Sequence, residues 1–546
     1  MGRRSKIKIE GSTSLTFIWL CVCLFLTVTV IFPLLCVLFT PKPSEVTQVL
    51  ASSVWKQAAI NTLLETISST SAAVFIGFVY AYAVVKGNIP FARFFSFIPL
   101  IHLVTPPFVG GLSFILLLGR QGFITHTILG LDVSLYGFWG LLIAQSLCFF
   151  PMAYMILVQT LQGINPSLEK AGEGLGAGGF KIFSTITLPL SLPGVVSAFL
   201  FIAVSVMSDF GNPMIVAGRY KVLAVEIYTQ LTGWVNKSAS VVLGIMLVIP
   251  SVLLFLWQSK LNKNMNFATI GGRGGNFDPD KNDAHNKKSL LVRILLTVFC
   301  AFISFSVLAQ FLAIIAGAFQ QLWGINKTFT LNHIKNICRW GSELKNSLFF
   351  ALMGAFLSTL IACISSYLVY RTKSPLKKYI DISAQLPSAI PGTLFGLSIS
   401  LAAAKLKYTN SSILIVIAIT IGFMPFSYRI ISSAFSQIRT TMDDGAVSLG
   451  ASKVRTLFTV LMPVMKGSIF YSFIYDFVRG VGTMSAVIFL VSFKTPLASI
   501  KILNLAEQGF WGDAAALALV LTLITFGVLA AGNLIIKIWS RKNEQY

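Results

Sequence analysis

Lys170-Ala171-Gly172, three residues, Gly176, nine residues, then Ile186-Thr187-Leu188-Pro189 is a polar, glycine-centred stretch that this chain repeats. The second copy reads Asp444-Gly445-Ala446, three residues, Gly450, nine residues, then Val460-Leu461-Met462-Pro463. Gly176 and Gly450, and likewise Pro189 and Pro463, are separated by the same 274 positions; Leu175-Gly176-Ala177 returns as Leu449-Gly450-Ala451. Each copy stands just before a hydrophobic run. Packing within a membrane bundle gives no reason to repeat such a polar segment, whereas a pair of docking surfaces for a two-fold partner does.

Around these copies the chain is strongly apolar. Hydrophobic residues make up 55% and charged residues 11%, a composition of a polytopic membrane protein. A run of about 20 apolar residues spans the hydrocarbon core as a helix, because its backbone polar groups are then satisfied internally. Such runs lie near 14–39, 59–85, 94–119, 135–159, 188–208, 239–257, 292–317, 346–370, 380–403, 411–433, 464–490 and 513–536. The first is too long for a signal-peptide core and reads as a retained span. The expected fold is therefore all-α, with about twelve transmembrane helices.

The formal charge of +23 does not point to nucleic acid, because the basic residues are spread over loops. The positive-inside rule orients the chain instead. With Arg3, Arg4, Lys6 and Lys8 inside, both repeated loops and the C-terminal Lys537, Arg541 and Lys542 also fall on the cytoplasmic side. The seven cysteines and four histidines are scattered without ligand spacing, so neither a disulfide framework nor a zinc site is indicated.

Two halves follow, 1–258 and 292–546, each with six spans, joined by a polar segment over 259–291. That joint contains Gly271-Gly272-Arg273-Gly274-Gly275 and Asp278-Pro279-Asp280-Lys281, a composition that buries no core and reads as a cytoplasmic linker. The repeat extends past the loops. Asn61, Tyr82, Pro90, Pro106 and Gly111 match Asn346, Tyr367, Pro375, Pro391 and Gly396 at one offset of 285. An even number of spans per half makes the halves parallel repeats about an axis along the membrane normal, enclosing a pathway between them.

Within each loop, about 161–189 and 435–463, the pattern is a short amphipathic helix, a tight turn and a second helix leading into the membrane. Asn165-Pro166-Ser167 is a start signal, and Thr440 to Asp444 gives the second copy an acidic first turn. Gly176 and Gly450 allow a positive φ. Phe180, Phe183, Val454, Leu457 and Phe458 are the apolar knobs available to a partner, and Pro189 and Pro463 mark the span entries.

This pattern, E-A-A, three residues, G, nine residues, I-x-L-P, resembles the coupling loop of permease subunits in binding-protein-dependent ABC importers. Lys170 stands where the motif's Glu is usual, with Glu169 before it and Glu173 after it; the second copy has Asp444 as its acid, and Gly445 for an Ala. The resemblance implies that Glu169, Lys170, Ala171, Gly172, Gly176 and Pro189, with Asp444, Gly445, Ala446, Gly450 and Pro463, meet two copies of an ABC ATPase subunit. It further implies a soluble substrate-binding protein as a partner and a bacterial cytoplasmic membrane as the location. No G-x-x-x-x-G-K-[ST] occurs in the chain, so no cofactor is expected on it; ATP and magnesium belong to the partner ATPase.

Two fused six-span halves, Ser208-Asp209-Phe210-Gly211-Asn212-Pro213 and Ser485-Ala486-Val487-Ile488-Phe489-Leu490-Val491-Ser492 resemble the ferric-iron permeases of that superfamily. Relatives for phosphorylated sugars and phosphonates make a small anion the alternative cargo. A twelve-span secondary transporter is a further alternative, with the duplicated loops arguing against it.

Ionisable groups inside spans are costly and mark candidate pathway positions. These are Glu65, His102, Asp209, Asp476 and Arg479. Asp209 and Arg479 fall on corresponding spans, which suggests that they flank a central cavity. The alternatives are that Asp209 caps or ends a helix, that Arg479 pairs with Asp476 or a carbonyl, and that Glu65 and His102 serve in interhelical hydrogen bonding. Ferric iron favours hard oxygen ligands, which Asp209, Glu65, Asp476 and tyrosines could supply, although no compact carboxylate cluster is visible. Arg219, Lys221, Lys494 and Lys501 make the outer side basic, suited to an anion or to acidic patches on a binding protein.

Overall fold

A computed structural model describes residues 13–131, 135–265, 289–372, 374, 376–439 and 441–543. Among them, nine helices are long and apolar enough to cross a membrane. They are Leu15–Leu38, Ser53–Lys86, Phe138–Gln162, Gly179–Met207, Lys237–Gln258, Leu290–Phe319, Asn332–Arg371, Ser411–Gln437 and Trp511–Ile535. Two bent pairs, Lys377–Ala389 with Gly392–Lys405 and Lys453–Val464 with Lys466–Val481, bring the total to as many as eleven. The expected linker over 259–291 falls largely outside the described residues, as do Pro375 and Thr440.

Three expected spans are not continuous helices. The 94–119 run divides into Ala92–Val104 and Pro107–Leu118, and the 380–403 run bends by 116° before Gly392. The cause is the same in both halves. Pro106 and Pro391 lack an N–H and press the preceding residue out of the helical region. Thr105 (ψ 137°) and Ile390 (ψ 126°) are accordingly extended. The 464–490 run keeps its helix only to Val481; from Gly482 the chain turns back and packs beside the Gly392–Lys405 helix.

The repeat is visible as matched hydrogen bonds. Asn61 Nδ2 donates to the Lys221 carbonyl at 3.0 Å, and Asn346 Nδ2 to the Pro496 carbonyl at 3.1 Å. Next to each asparagine, a hydroxyl accepts from the first N–H of a short helix: Thr62 from Leu223 at 2.9 Å, Ser347 from Ala498 at 2.8 Å. The residues before those helices are Val222 and Leu497, which carry no side-chain acceptor. A remote hydroxyl therefore does the capping that a local Ser or Asp usually does.

The halves exchange their first helices. Leu15, Trp19, Leu26 and Val30 are buried in one cluster with Leu394, Phe395 and Ile419 of the second half, and Thr27 Oγ1 shares a 2.6 Å hydrogen bond with Tyr379. Reciprocally, Cys300, Ile303 and Val307 of Leu290–Phe319 pack with Ala73, Tyr80 and Ile98 of the first half. Tyr80 and Ser304 share a 2.9 Å hydrogen bond, and Arg293 Nε donates to the Asn88 carbonyl at 2.9 Å. Gly77 admits the Phe138–Gln162 helix so closely that a Cβ there would strike Ala153 and the Tyr154 backbone, the small-residue contact on which membrane helices depend.

Replacing Asn346 with Leu orphans the Pro496 carbonyl, at a cost of about 1–3 kcal/mol. A lowered midpoint of thermal unfolding in detergent is expected; an unchanged midpoint would show the matched hydrogen bonds to be dispensable.

Candidate functional site

The two repeated loops close in the same way. The first helix, Pro166–Gly174, is capped by Asn165, whose side chain accepts from the Ser167 N–H at 3.0 Å. It ends at Gly176 with φ +80°, where the Gly176 N–H reaches the Glu173 carbonyl and the Ala177 N–H the Gly172 carbonyl. The second helix, Thr441–Ser448, ends at Gly450 with φ +82°, with the Gly450 N–H on Val447 and the Ala451 N–H on Ala446. This pair of bonds around a left-handed residue is the Schellman closure, and the left-handed conformation is why both positions are glycine.

Each loop is tied to the end of a spanning helix by an ion pair. Lys86, the last residue of Ser53–Lys86, places Nζ 2.9 Å from Glu169 Oε2; Thr187 donates to the other carboxylate oxygen at 2.9 Å. Arg371, the last residue of Gly341–Arg371, places Nη1 2.9 Å from Asp443 Oδ2 and donates through Nη2 to the Phe435 and Ile438 carbonyls. Lys86 and Arg371 stand 285 positions apart, Glu169 and Asp443 stand 274, so the pairs are equivalent under the internal repeat. Burial holds the Asp443 carboxyl above the ordinary carboxylate range, while the Arg371 guanidinium pulls it back down. Breaking such a part-buried pair strands a charge in a poor solvent.

These ties revise the reading of the motif. The anchored acid of the second loop is Asp443; Asp444 is exposed, at the position equivalent to the exposed Lys170. Glu169 points into the protein. Ala171 is exposed and Ala446 half-buried. Gly172 is buried, and a Cβ there would lie 3.0 Å from Ile186, whereas Gly445 faces open space. The apolar knobs also divide differently. Phe183 packs inward on Tyr82 with ring centres 5.1 Å apart, and its equivalent Leu457 is buried. Val454 is half-buried and Phe458 half-exposed. Within the two loops the most projecting apolar groups are Leu175 (89% exposed), Leu449 (90%) and Phe180 (83%). Pro189 follows the π-turn Phe183–Thr187 inside the continuous Gly179–Met207 helix, and Pro463 follows the π-turn Leu457–Leu461. The wider turn makes room for a proline ring that would otherwise meet the carbonyl four residues earlier. In the second half the chain then bends by 80° before Lys466.

A cavity of about 270 Å³ lies between the halves, lined by Asp209 and Arg479 together with Ser208, Ser388, Thr483 and Ser485. Of the five intramembrane candidates, these two share one wall space. Asp209 is held by Gln145 Nε2 (3.0 Å) and Asn212 Nδ2 (2.8 Å), both donating to Oδ2. His102 lines a smaller adjoining cavity with Cys148 and Arg479, its ring edge-on to Phe311. Glu65 is buried within the first half, within electrostatic range of Asp209. Asp476 is not the partner of Arg479, since its Oδ2 accepts from Ser358 and Ser427 at 2.6 Å each. Among the described residues, no set of three or more His, Cys, Asp or Glu side chains converges as a metal site. Gln145 and Asn212 were missed at the sequence level; a glutamine inside an apolar run was the available signal for the first.

Two like helical halves spanning a membrane, with a capped loop leading into a span of each and a cavity between them, define a transport permease. The chain matches the model of the binding-protein-dependent transport system inner membrane component over residues 73–267 and again over 358–542. It belongs to that family and is a multi-pass membrane component of a transport system. It is 31% identical over 451 residues to the ferric transport system permease protein FbpB of Actinobacillus pleuropneumoniae, covering 80% of this chain and 64% of that relative. Over 516 residues it is 28% identical to the putative ferric transport system permease protein FbpB 1 of Haemophilus influenzae, covering 90% of this chain and 80% of the relative. The molybdenum transport system permease protein ModB of Escherichia coli is 27% identical over 196 residues, 34% of this chain and 86% of its own length.

Reversing one charge, Lys86→Glu or Glu169→Lys, should expose the 163–180 loop to limited proteolysis, and the double swap should restore protection. A coupling energy of about 0.5–3 kcal/mol is expected from the cycle; additive effects would show that the pair does not hold the loop.

Proposed function

We propose that this chain is the permease of an ATP-driven importer for ferric iron in a bacterial cytoplasmic membrane. A soluble binding protein delivers the cargo, and two ATPase subunits, one under each repeated loop, supply ATP hydrolysis with magnesium on their own chains. The loops and both termini then face the cytoplasm. The observation that carries this reading is the pair of equivalent loops, each capped by a left-handed glycine and pinned by an ion pair to a spanning helix. The names of the relatives support the choice of iron.

The chain's own residues suggest how work enters. Leu175, Phe180 and Leu449 project far enough to fill grooves on a soluble partner. A displacement of the first loop passes through Glu169–Lys86 to Ser53–Lys86, and along the unbroken Gly179–Met207 helix to Asp209 at the cavity. In the second half Asp443–Arg371 does the same for Gly341–Arg371, and Lys466–Val481 carries Arg479. Both ionisable groups on the cavity wall therefore sit at the far ends of helices that the loops lead into.

The test is uptake of radiolabelled ferric iron by cells expressing the chain with its ATPase and binding protein. Gly176→Glu combined with Gly450→Glu forces two side chains into left-handed backbone, at about 1–2 kcal/mol each. Membrane insertion should persist while ATP-dependent uptake is lost. Normal uptake with both glycines replaced would remove the docking role from the loops.

A further inference from the structure

The wall of the central cavity is more basic than its two ionisable residues suggest. Asp209 is 8% exposed and its carboxylate is already engaged. Oδ2 accepts from Gln145 and Asn212 side chains, and Oδ1 faces the Asn212 N–H at 3.4 Å. Arg479 has no such counterpart. Among the described residues no carboxylate lies within ion-pair distance of it, and Asp476, one turn earlier, turns its Oδ2 to Ser358 and Ser427. A second guanidinium, Arg429, reaches the lining hydroxyl of Ser388 at 3.5 Å. The nearby acid Asp381 is occupied by Tyr428 and Gln385. On the same segment as Arg479, the hydroxyls of Thr483 and Ser485 line the cavity, and neither bonds another described residue.

A guanidinium kept part-buried without a carboxylate in contact is costly, and its planar fork is matched by a carboxylate or phosphate edge. The same wall suits a bare trivalent cation poorly. Ferric iron favours hard, preferably anionic oxygen ligands, yet the one carboxylate here would have to surrender its amide donors, and no three His, Cys, Asp or Glu side chains converge among the described residues.

We propose that the cargo crosses this cavity as a ferric–oxyanion complex, the oxyanion seated on Arg479 with the Thr483 and Ser485 hydroxyls beside it; this rests on the ferric reading above. The oxyanion supplies the iron with oxygen ligands that the chain does not, and presents a negative edge to the guanidinium.

The full chain, reconstituted in vesicles with its ATPase and its iron-loaded binding protein, tests this in carbonate-free buffer with radiolabelled phosphate, citrate or oxalate. Iron should accumulate together with one of these anions in a fixed ratio. Arg479→Gln should lower accumulation at least about tenfold and Arg479→Lys restore part of it, with ATPase assembly and thermal midpoint unchanged in both. Iron entering at full rate with no oxyanion following, or unaffected by Arg479→Gln, overturns the proposal. An oxyanion accumulating without iron sinks the ferric reading instead and leaves the Arg479 subsite standing.

Discussion

The ion pairs Lys86–Glu169 and Arg371–Asp443 are the constraint on which the rest of the architecture rests. A helix of eight or nine residues at the membrane surface has too few internal bonds to hold its own position. Tying its acid to the last residue of a spanning helix gives it a fixed orientation without burying an extensive apolar face. The apolar residues that such a helix would otherwise need for anchoring, Leu175 and Leu449, are then free to project. Capping and tethering act together, because the Schellman closure turns the chain from the anchored helix into the segment that leads to the next span.

The two halves share their backbone scaffold but not their buried polarity. Asn61 and Asn346, Thr62 and Ser347 make the same bonds in each half. Just beyond them, Glu65, Thr66, Ser69 and Thr70 of the first half stand opposite Phe350, Ala351, Gly354 and Ala355 of the second. The second half buries its acid elsewhere, as Asp476 with Ser358 and Ser427, where the first half has Ile202, Ala73 and Ala153. Buried polar groups are expensive in hydrocarbon, and each half houses them at different positions; the shared cavity is asymmetric too. One wall carries an engaged carboxylate and the other an arginine.

Several features could be read in advance because local stereochemistry dictates them. Gly176 and Gly450 must be left-handed to close their helices, and only glycine does this without strain. Pro106 and Pro391 could have been read as breaks, since hydropathy alone smooths over a missing N–H. The tethers were hidden for a different reason. Lys86 and Arg371 at helix ends look like ordinary interfacial cations, and their partners lie many residues away. Asp443 and Asp444 are neighbours in sequence, yet one residue on a helix is a rotation of about 100°, enough to put one carboxylate against the protein and the next in solvent.

The sequence by itself determined the helical membrane fold, the two-fold repeat and the glycine-closed loops, because hydropathy, periodicity and backbone stereochemistry are written residue by residue. Tertiary structure alone decided which helix belongs with which half. Leu15–Leu38 begins the first half and packs in the second, while Leu290–Phe319 begins the second and packs in the first. In a bilayer one apolar helix face is as hydrophobic as another, so partners are selected by close-fitting small residues and directional bonds such as Thr27–Tyr379 and Tyr80–Ser304. Those depend on where two distant segments meet, which no single stretch of the chain encodes.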